Sequence, residues 1–233
     1  MTMHAPPATG SPSTIVADYF GQAIDELESW KAKFSDDLAA ARARGPVTTD
    51  TLDALVAPYA LSTFDALDLP VYGSGFIAAL NSLADASSHL AWWQGADRAR
   101  LVLAAQSVSK EAIDYSELEW YRVPHQTGEA HVAGPYVDYL CSDEYTITIA
   151  SPIFLDREFV GVAGLDLLID QVERDLTPRL APHGSDISIV NGVGRVLLST
   201  SPHRETGDSI RGAELASLTR TACPGMALEV VSG

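Results

Sequence analysis

The chain has 233 residues, a formal net charge of −16 and a pI of about 4.5, a size for one large domain or a domain with a smaller appendage. So acidic a surface repels phosphate, which excludes duplex nucleic acid as a partner, and no stretch reaches the ~20 consecutive apolar residues of a membrane helix. The two cysteines, Cys141 and Cys223, do not make a disulfide framework; reduced thiols in a cytosolic chain fit them better than a single bridge.

Residues 1–13 read as a disordered leader rich in Pro, Ser, Thr and Gly. They lack the basic and apolar regions of a secretory signal. With the initiating Met1, this gives the expectation of a cytoplasmic protein with no membrane insertion. A long helix is predicted next. Ile15, Val16, Tyr19, Phe20, Ile24, Leu27, Trp30, Phe34 and Leu38 recur at three- and four-residue steps, Thr14 caps the start, and Gly45 and Pro46 end it. The stripe is longer than one small core needs, so it either spans two subdomains or forms the seam of a homodimer. A shorter helix lies within Thr49–Leu55 and is limited by Pro58, so residues 14–68 are helical and connecting.

Strand signals begin at Leu69. Val71–Ala79 contains Gly73 and Gly75, which suggest a bulge or a close backbone approach. Short strands follow at Leu90–Trp93 and Arg100–Ala104, and a helix over Val108–Tyr121 with Ser109 as its cap. Tyr145–Phe154 sets Tyr145, Ile147 and Ile149 against Thr146, Thr148 and Ala150, the period of a half-buried strand. Across the turn Asp156-Arg157-Glu158, Phe159–Ile169 returns as its hairpin partner. Gln171–Leu180 is a helix. Asp186–Val190 and Arg195–Ser199 form a smaller hairpin about Asn191-Gly192, and Ala227–Val231 is a last strand. The fold class is α+β: a long N-terminal helix, an antiparallel sheet lobe with covering helices at 69–170, and a small second α+β lobe at 171–233.

The chemistry concentrates in one segment. From Glu111 to Tyr145 there are eight carboxylates against one basic residue, Arg122, and aromatic rings alternate with them. An aromatic wall beside a carboxylate is what holds an organic cation. Asp166 stands in an otherwise apolar strand, where it must find either an internal partner (Arg, Lys or a backbone amide) or a ligand ammonium. Trp92 and Trp93 project to opposite faces on a strand, so only one can reach a pocket. Tyr115 is a further candidate for the wall.

The ordered set Trp120-Tyr121, Pro135-Tyr136-Val137-Asp138, Thr146-Ile147-Thr148 leading to Pro152, and Gly161-Val162-Ala163-Gly164-Leu165-Asp166 resembles the extracytoplasmic sensor modules called Cache domains, over roughly Ile15 to Thr200. The resemblance implies a PAS-like sheet lobe of the double-Cache type. It also implies a ligand site walled by Trp120, Tyr121, Tyr136, one of Trp92 and Trp93, and Tyr115. Amino-acid-sensing members place an Arg two positions before the Trp-Tyr pair to hold the ligand carboxylate, and two acids to hold its ammonium. Here the Arg position is Leu118, whereas both acids are kept as Asp138 and Asp166. The pattern therefore resembles the amine-sensing branch, with an amine, polyamine or quaternary ammonium as ligand. An amino-acid sensor using Arg122 is the alternative.

Enzyme chemistry has little support. The six histidines form no HExxH or i, i+4 pair. His125 and His131 flank a loop that suits solvated histidines better than a metal, there is no GxSxG elbow, and the acids beside Cys141 raise its thiol pKa. The reading is a non-enzymatic sensor with no metal or cofactor, whose output passes to a separate signalling, regulator or transporter partner. The rival class is a small enzyme acting on an amine.

Overall fold

The computed structural model describes residues 10–102, 114–139, 142 and 144–233. Most of the leader, the start of the helix expected at Val108–Tyr121 with its Ser109 cap, the end of the strand expected at Arg100–Ala104, and Cys141 with its pairing to Cys223 lie outside the described residues.

The long helix α1 runs Pro12–Arg44. It starts earlier than the Thr14 cap would have it: Ser11 is the cap, its Oγ accepting from the Thr14 amide at 3.3 Å, and Pro12, whose missing N–H is not needed there, fills the first turn. Gly45 closes the helix, its N–H bonding to the Arg42 carbonyl. Helix α2, Thr49–Ala66, runs straight through Pro58, so the expected stop does not occur. A proline inside a helix costs about 3 kcal/mol. Leu52, Val56 and Ala60 are all buried, and burial of a side chain the size of Leu or Val recovers about 1.5–3 kcal/mol.

Six strands form the first sheet: β1 Val71–Ala78, β2 Leu90–Gln94, β3 Ala99–Arg100, β4 His131–Val137, β5 Tyr145–Leu155 and β6 Glu158–Leu168, in the order β3-β2-β1-β6-β5-β4 with every neighbour antiparallel. The turn joining β5 to β6 has two central residues, Asp156 and Arg157, with φ of 49° and 72°, the left-handed pair that matches strand twist in a tight hairpin. Helix α3, Glu119–Thr127, covers one face. Here the sequence expectation fails in register. Residues 114–118 are turn and extended backbone, with Asp114 Oδ1 accepting from the Ser116 amide at 2.9 Å, so Trp120 and Tyr121 open a helix instead of closing one.

Helix α4, Ile169–Leu180, leads through a 3-10 turn at Ala181–His183 to a second sheet of β7 Ile187–Asn191, β8 Val196–Ser199, β9 Thr219–Ala222 and β10 Leu228–Ser232, ordered β8-β7-β10-β9, with the short helix α5, Gly212–Ser217, before β9.

The two faces of the first sheet have different partners. Phe76, Trp93, Ile147, Ile149, Leu165 and Leu167 pack on α1 and α2 in the main core. Ile77, Leu90, Trp92, Ala133, Ala150 and Val162 face the other way, under Tyr115, Trp120 and Tyr121. The α1 stripe is consumed within the chain. Near its start Tyr19 donates to Asp175 Oδ2 on α4 at 3.2 Å; further along Trp30 stacks on Tyr59 of α2 at 5.3 Å and Phe34 meets Phe76 at 4.9 Å. The helix is therefore a spine shared by both sheets, and a homodimer through α1 would have to use its polar face.

Candidate functional site

The site is built on the face of the first sheet that α3 covers. Cross-strand pairing sets Gly75, Trp92 and Gly164 in one row and Gly73, Asp166 and Thr148 in the next. The glycines leave room for a ring. A Cβ on Gly73 would lie 2.6 Å from Trp92 Nε1, one on Gly75 would collide with the Ala91 carbonyl, and one on Gly164 would already touch the far edge of the same indole at 3.4 Å. Trp92 therefore lies across β1 and β6 as a floor. The close approach that Gly73 and Gly75 suggested is to this side chain and its backbone, and the register of β1 shifts between Val71 and Gly73.

Asp166 rises from this floor, 4% exposed. Thr148 Oγ1 donates to its Oδ1 at 2.5 Å, and the Tyr136 hydroxyl is in hydrogen-bond contact with the same Thr148 oxygen. A hydroxyl has one proton to give. Since Thr148 gives its own to Asp166, Tyr136 donates to Thr148, and the three form a relay. Burial in apolar surroundings raises the Asp166 pKa to about 8, with the nearby Asp138 carboxylate adding to the rise and the Thr148 hydrogen bond opposing it. In the empty site the Asp166 carboxyl is thus largely protonated at neutral pH.

Ile77, Leu90, Trp92, Trp120, Tyr136, Asp138, Thr148 and Asp166 enclose a cavity of about 20 Å³, room for about one water. Trp120, Tyr136 and Asp138 also face outward onto a cleft of about 310 Å³, completed by Leu118, Glu119, Val137 and Tyr139. Glu119 is tied to His131 of β4 at 2.9 Å, which anchors the first turn of α3 to the sheet. Among the described residues, no Lys or Arg lines either space.

Of the residues singled out in the sequence, Asp166, Asp138, Tyr136, Trp120 and Trp92 come together here. Three do not line the cavity. Trp93 points into the α1/α2 core, as strand alternation requires of one member of the pair. Tyr115 is fully buried with its hydroxyl donating to the Ala78 carbonyl at 2.6 Å. Tyr121 packs between Tyr115 and Phe159, with ring centroids at 5.1 and 5.3 Å, as a buttress behind Trp120. Arg122 reaches toward Gln126 at 3.5 Å and lines neither space, so it is not placed as a carboxylate clamp. His125 stacks on Phe159 at 4.1 Å, and no group of His, Cys, Asp and Glu among the described residues could hold a metal ion. Sequence reasoning did not assign Thr148, Ile77 or Leu90 to the site. For Thr148 the signal was present: it shares the strand parity of Ala150, and its cross-strand neighbour is Asp166.

Residues 98–174, about a third of the chain and including α3 and the hairpin that carries Asp166, match the family model described as "Methyl-accepting chemotaxis protein-like, first PDC sensor domain". No curated protein matches the chain. Among solved structures, the fold is similar to the ligand-binding domain of the Pseudomonas fluorescens chemoreceptor CtaA in complex with L-valine, at 13% identity and a TM-score of 0.62, over 94% of this chain and 90% of that one. It is similar as well to the ligand-binding domain of the Pseudomonas aeruginosa PAO1 amino acid chemoreceptor PctB in complex with L-Gln, at 17% identity and a TM-score of 0.59, over 95% and 86%. A third is the structure described as the "extracellular domain of the putative histidine kinase soHK1S-Z6", at 13% identity and a TM-score of 0.59, over 95% and 90%. The α+β fold with its long N-terminal helix is that of chemoreceptor sensor domains, and the matches are to ligand-binding modules, not to enzymes. They also overturn the cytoplasmic expectation, since these are sensor domains of receptors and, in one case, an extracellular domain. That expectation had leaned on a leader without a signal, which says nothing of where a domain of this fold works. Among the described residues no helix is long and apolar enough to cross a membrane.

Proposed function

We propose that the chain is a ligand-binding sensor module for a small organic ammonium ion, and that its signal passes to a separate protein. The observation that carries this reading is the Asp166 carboxyl, buried at the floor of an aromatic cavity beside a second acid, Asp138, with no basic residue among the described residues of the lining. A buried carboxylate is costly unless a cation meets it. A ligand ammonium supplies that cation, accepts the relay-supported carboxylate as its partner, and gains the faces of Trp120 and Tyr136. The empty site holds a proton where the ligand would place its charge. Binding below pH ~8 therefore displaces that proton, and affinity rises with pH up to that point.

An α-amino acid is the second reading, favoured by the L-valine and L-Gln in the relatives. Against it, the described residues lining cavity and cleft offer a ligand carboxylate no Lys or Arg, and Leu118 occupies the edge of the cleft. A thermal-shift screen of primary amines, quaternary ammoniums, amino acids and dicarboxylates separates these. At 100 times its dissociation constant a ligand adds ~2.7 kcal/mol, which raises the melting temperature of a chain this size by roughly 5–10 °C. Amines are expected to give that shift. Stabilisation by dicarboxylates and by no amine contradicts the proposal.

A further inference from the structure

The indole N–H of Trp92 is a buried donor, 2% exposed, with no hydrogen-bond partner among the described residues. Donors so placed are seldom left unmade in native proteins. This one lies over Gly73, whose cross-strand neighbour is Asp166, so the N–H and the carboxyl stand side by side on one sheet face. Both residues line the cavity of about 20 Å³, the volume of a single oxygen-centred group.

The two neighbours set what can fill that space. An ammonium satisfies the carboxylate but cannot accept from the indole. A methyl group satisfies neither. A carboxylate accepts from the indole but needs more room than one oxygen and brings its charge toward Asp138. A hydroxyl accepts from the N–H with a lone pair and donates its own proton to the carboxylate. We propose that the inner cavity is a hydroxyl subsite: the ligand carries a hydroxyl on a carbon near its ammonium, so that hydroxylated amines are preferred to alkyl amines of the same size. This rests on the ammonium reading above. The ammonium sits between the Asp166 and Asp138 carboxyls where the cavity meets the cleft, the hydroxyl enters the cavity beneath Trp92, and any further substituent extends into the outer cleft.

Ethanolamine and n-propylamine differ by hydroxyl against methyl and test the inference directly. Calorimetric titration of each at pH 8, into the wild-type protein and into Trp92→Phe, is expected to show at least 10-fold tighter binding of ethanolamine to the wild type. In Trp92→Phe, which keeps a ring on the floor and lacks the N–H, the ratio of the two affinities should fall to near unity. If Trp92→Phe does not fold, the wild type still answers through ¹⁵N-labelled tryptophan, since one of the four indole N–H resonances should shift with ethanolamine and stay in place with propylamine. Equal affinities in the wild type, or a preference that survives in Trp92→Phe, overturn the hydroxyl subsite while leaving the ammonium reading intact. Binding of neither amine overturns both.

Discussion

Asp166→Asn keeps the shape of the side chain and removes its charge, and the consequences differ with pH and with ligand. The wild-type carboxyl is raised from 3.8 to about 8 by burial, with Asp138 contributing. Between those values the folded protein holds a proton that the unfolded chain has released. The stability contributed by this group is therefore fully present below pH ~4 and is lost as pH rises through about 8. The slope is about 1.4 kcal/mol per pH unit for one fully bound proton. From pH 5 to pH 8 that is on the order of 3–4 kcal/mol, or roughly 10 °C in melting temperature for a chain this size. The Asn variant lacks the ionisation, and its amide oxygen can still accept from Thr148. Its melting temperature should thus hold as pH rises while the wild type falls, so that the variant matches the wild type near pH 5 and exceeds it at pH 8 without ligand. With an amine present the order reverses, because a charge-assisted hydrogen bond of about 1.5–3 kcal/mol is gone, and affinity should drop 10- to 100-fold. Scanning calorimetry across pH and titration of an amine provide both readings. Parallel melting curves with unchanged affinity would rule out a buried, ligand-binding Asp166 carboxyl; a variant destabilised at every pH that binds normally would make Asp166 a structural residue.

Three other perturbations follow from named contacts. Gly73→Ala places a methyl 2.6 Å from Trp92 Nε1; displacing the indole from its floor should cost about 1–3 kcal/mol and abolish amine binding, read by thermal shift. Trp30→Glu puts a charge at a position 5% exposed, stacked on Tyr59; the protein should unfold or lose several kcal/mol in denaturant titration, and a folded variant of unchanged stability would show the α1 stripe to be misassigned. Asn191 Nδ2 donates at 2.9 Å to the Gly134 carbonyl in the irregular stretch of β4 just before Tyr136, while its oxygen accepts from the Val193 and Arg195 amides. Asn191→Ala should cost about 1–3 kcal/mol by stranding the buried carbonyl, and amine affinity should weaken as Tyr136 loses its fixed position.

Much of this architecture was legible because it follows from period alone. The alternation through Tyr145–Phe154 and its apolar return strand specified the central hairpin, and the only acid in that return strand is the residue at the floor of the cavity. The same parity rule foretold that Trp92 and Trp93 would separate, though not which of them would face the ligand side. That choice depends on Gly73, Gly75 and Gly164 clearing a path for an indole, a three-strand property that no single segment displays. Tyr115 and Tyr121 stand behind the cavity for a related reason: aromatic residues near a pocket are as useful behind it as in it, and the Tyr115 hydrogen bond to Ala78, not the sequence, shows which. Pro58 was weighed by its local cost alone, whereas the apolar face of α2 outweighs it. The start of α3 was hidden by the helical propensity of residues before Glu119, which tertiary packing overrides.

The claim at the centre of this account is that an ammonium replaces a proton on Asp166, and proton linkage measures it most directly. Titration of ethanolamine at pH 7 in buffers of contrasting ionisation enthalpy gives the number of protons exchanged on binding. With burial holding the Asp166 carboxyl near 8 when no cation is bound, binding should release most of one proton per ligand, and affinity should rise with pH toward 8. Binding with no proton release, or affinity that falls across the same range, would contradict it.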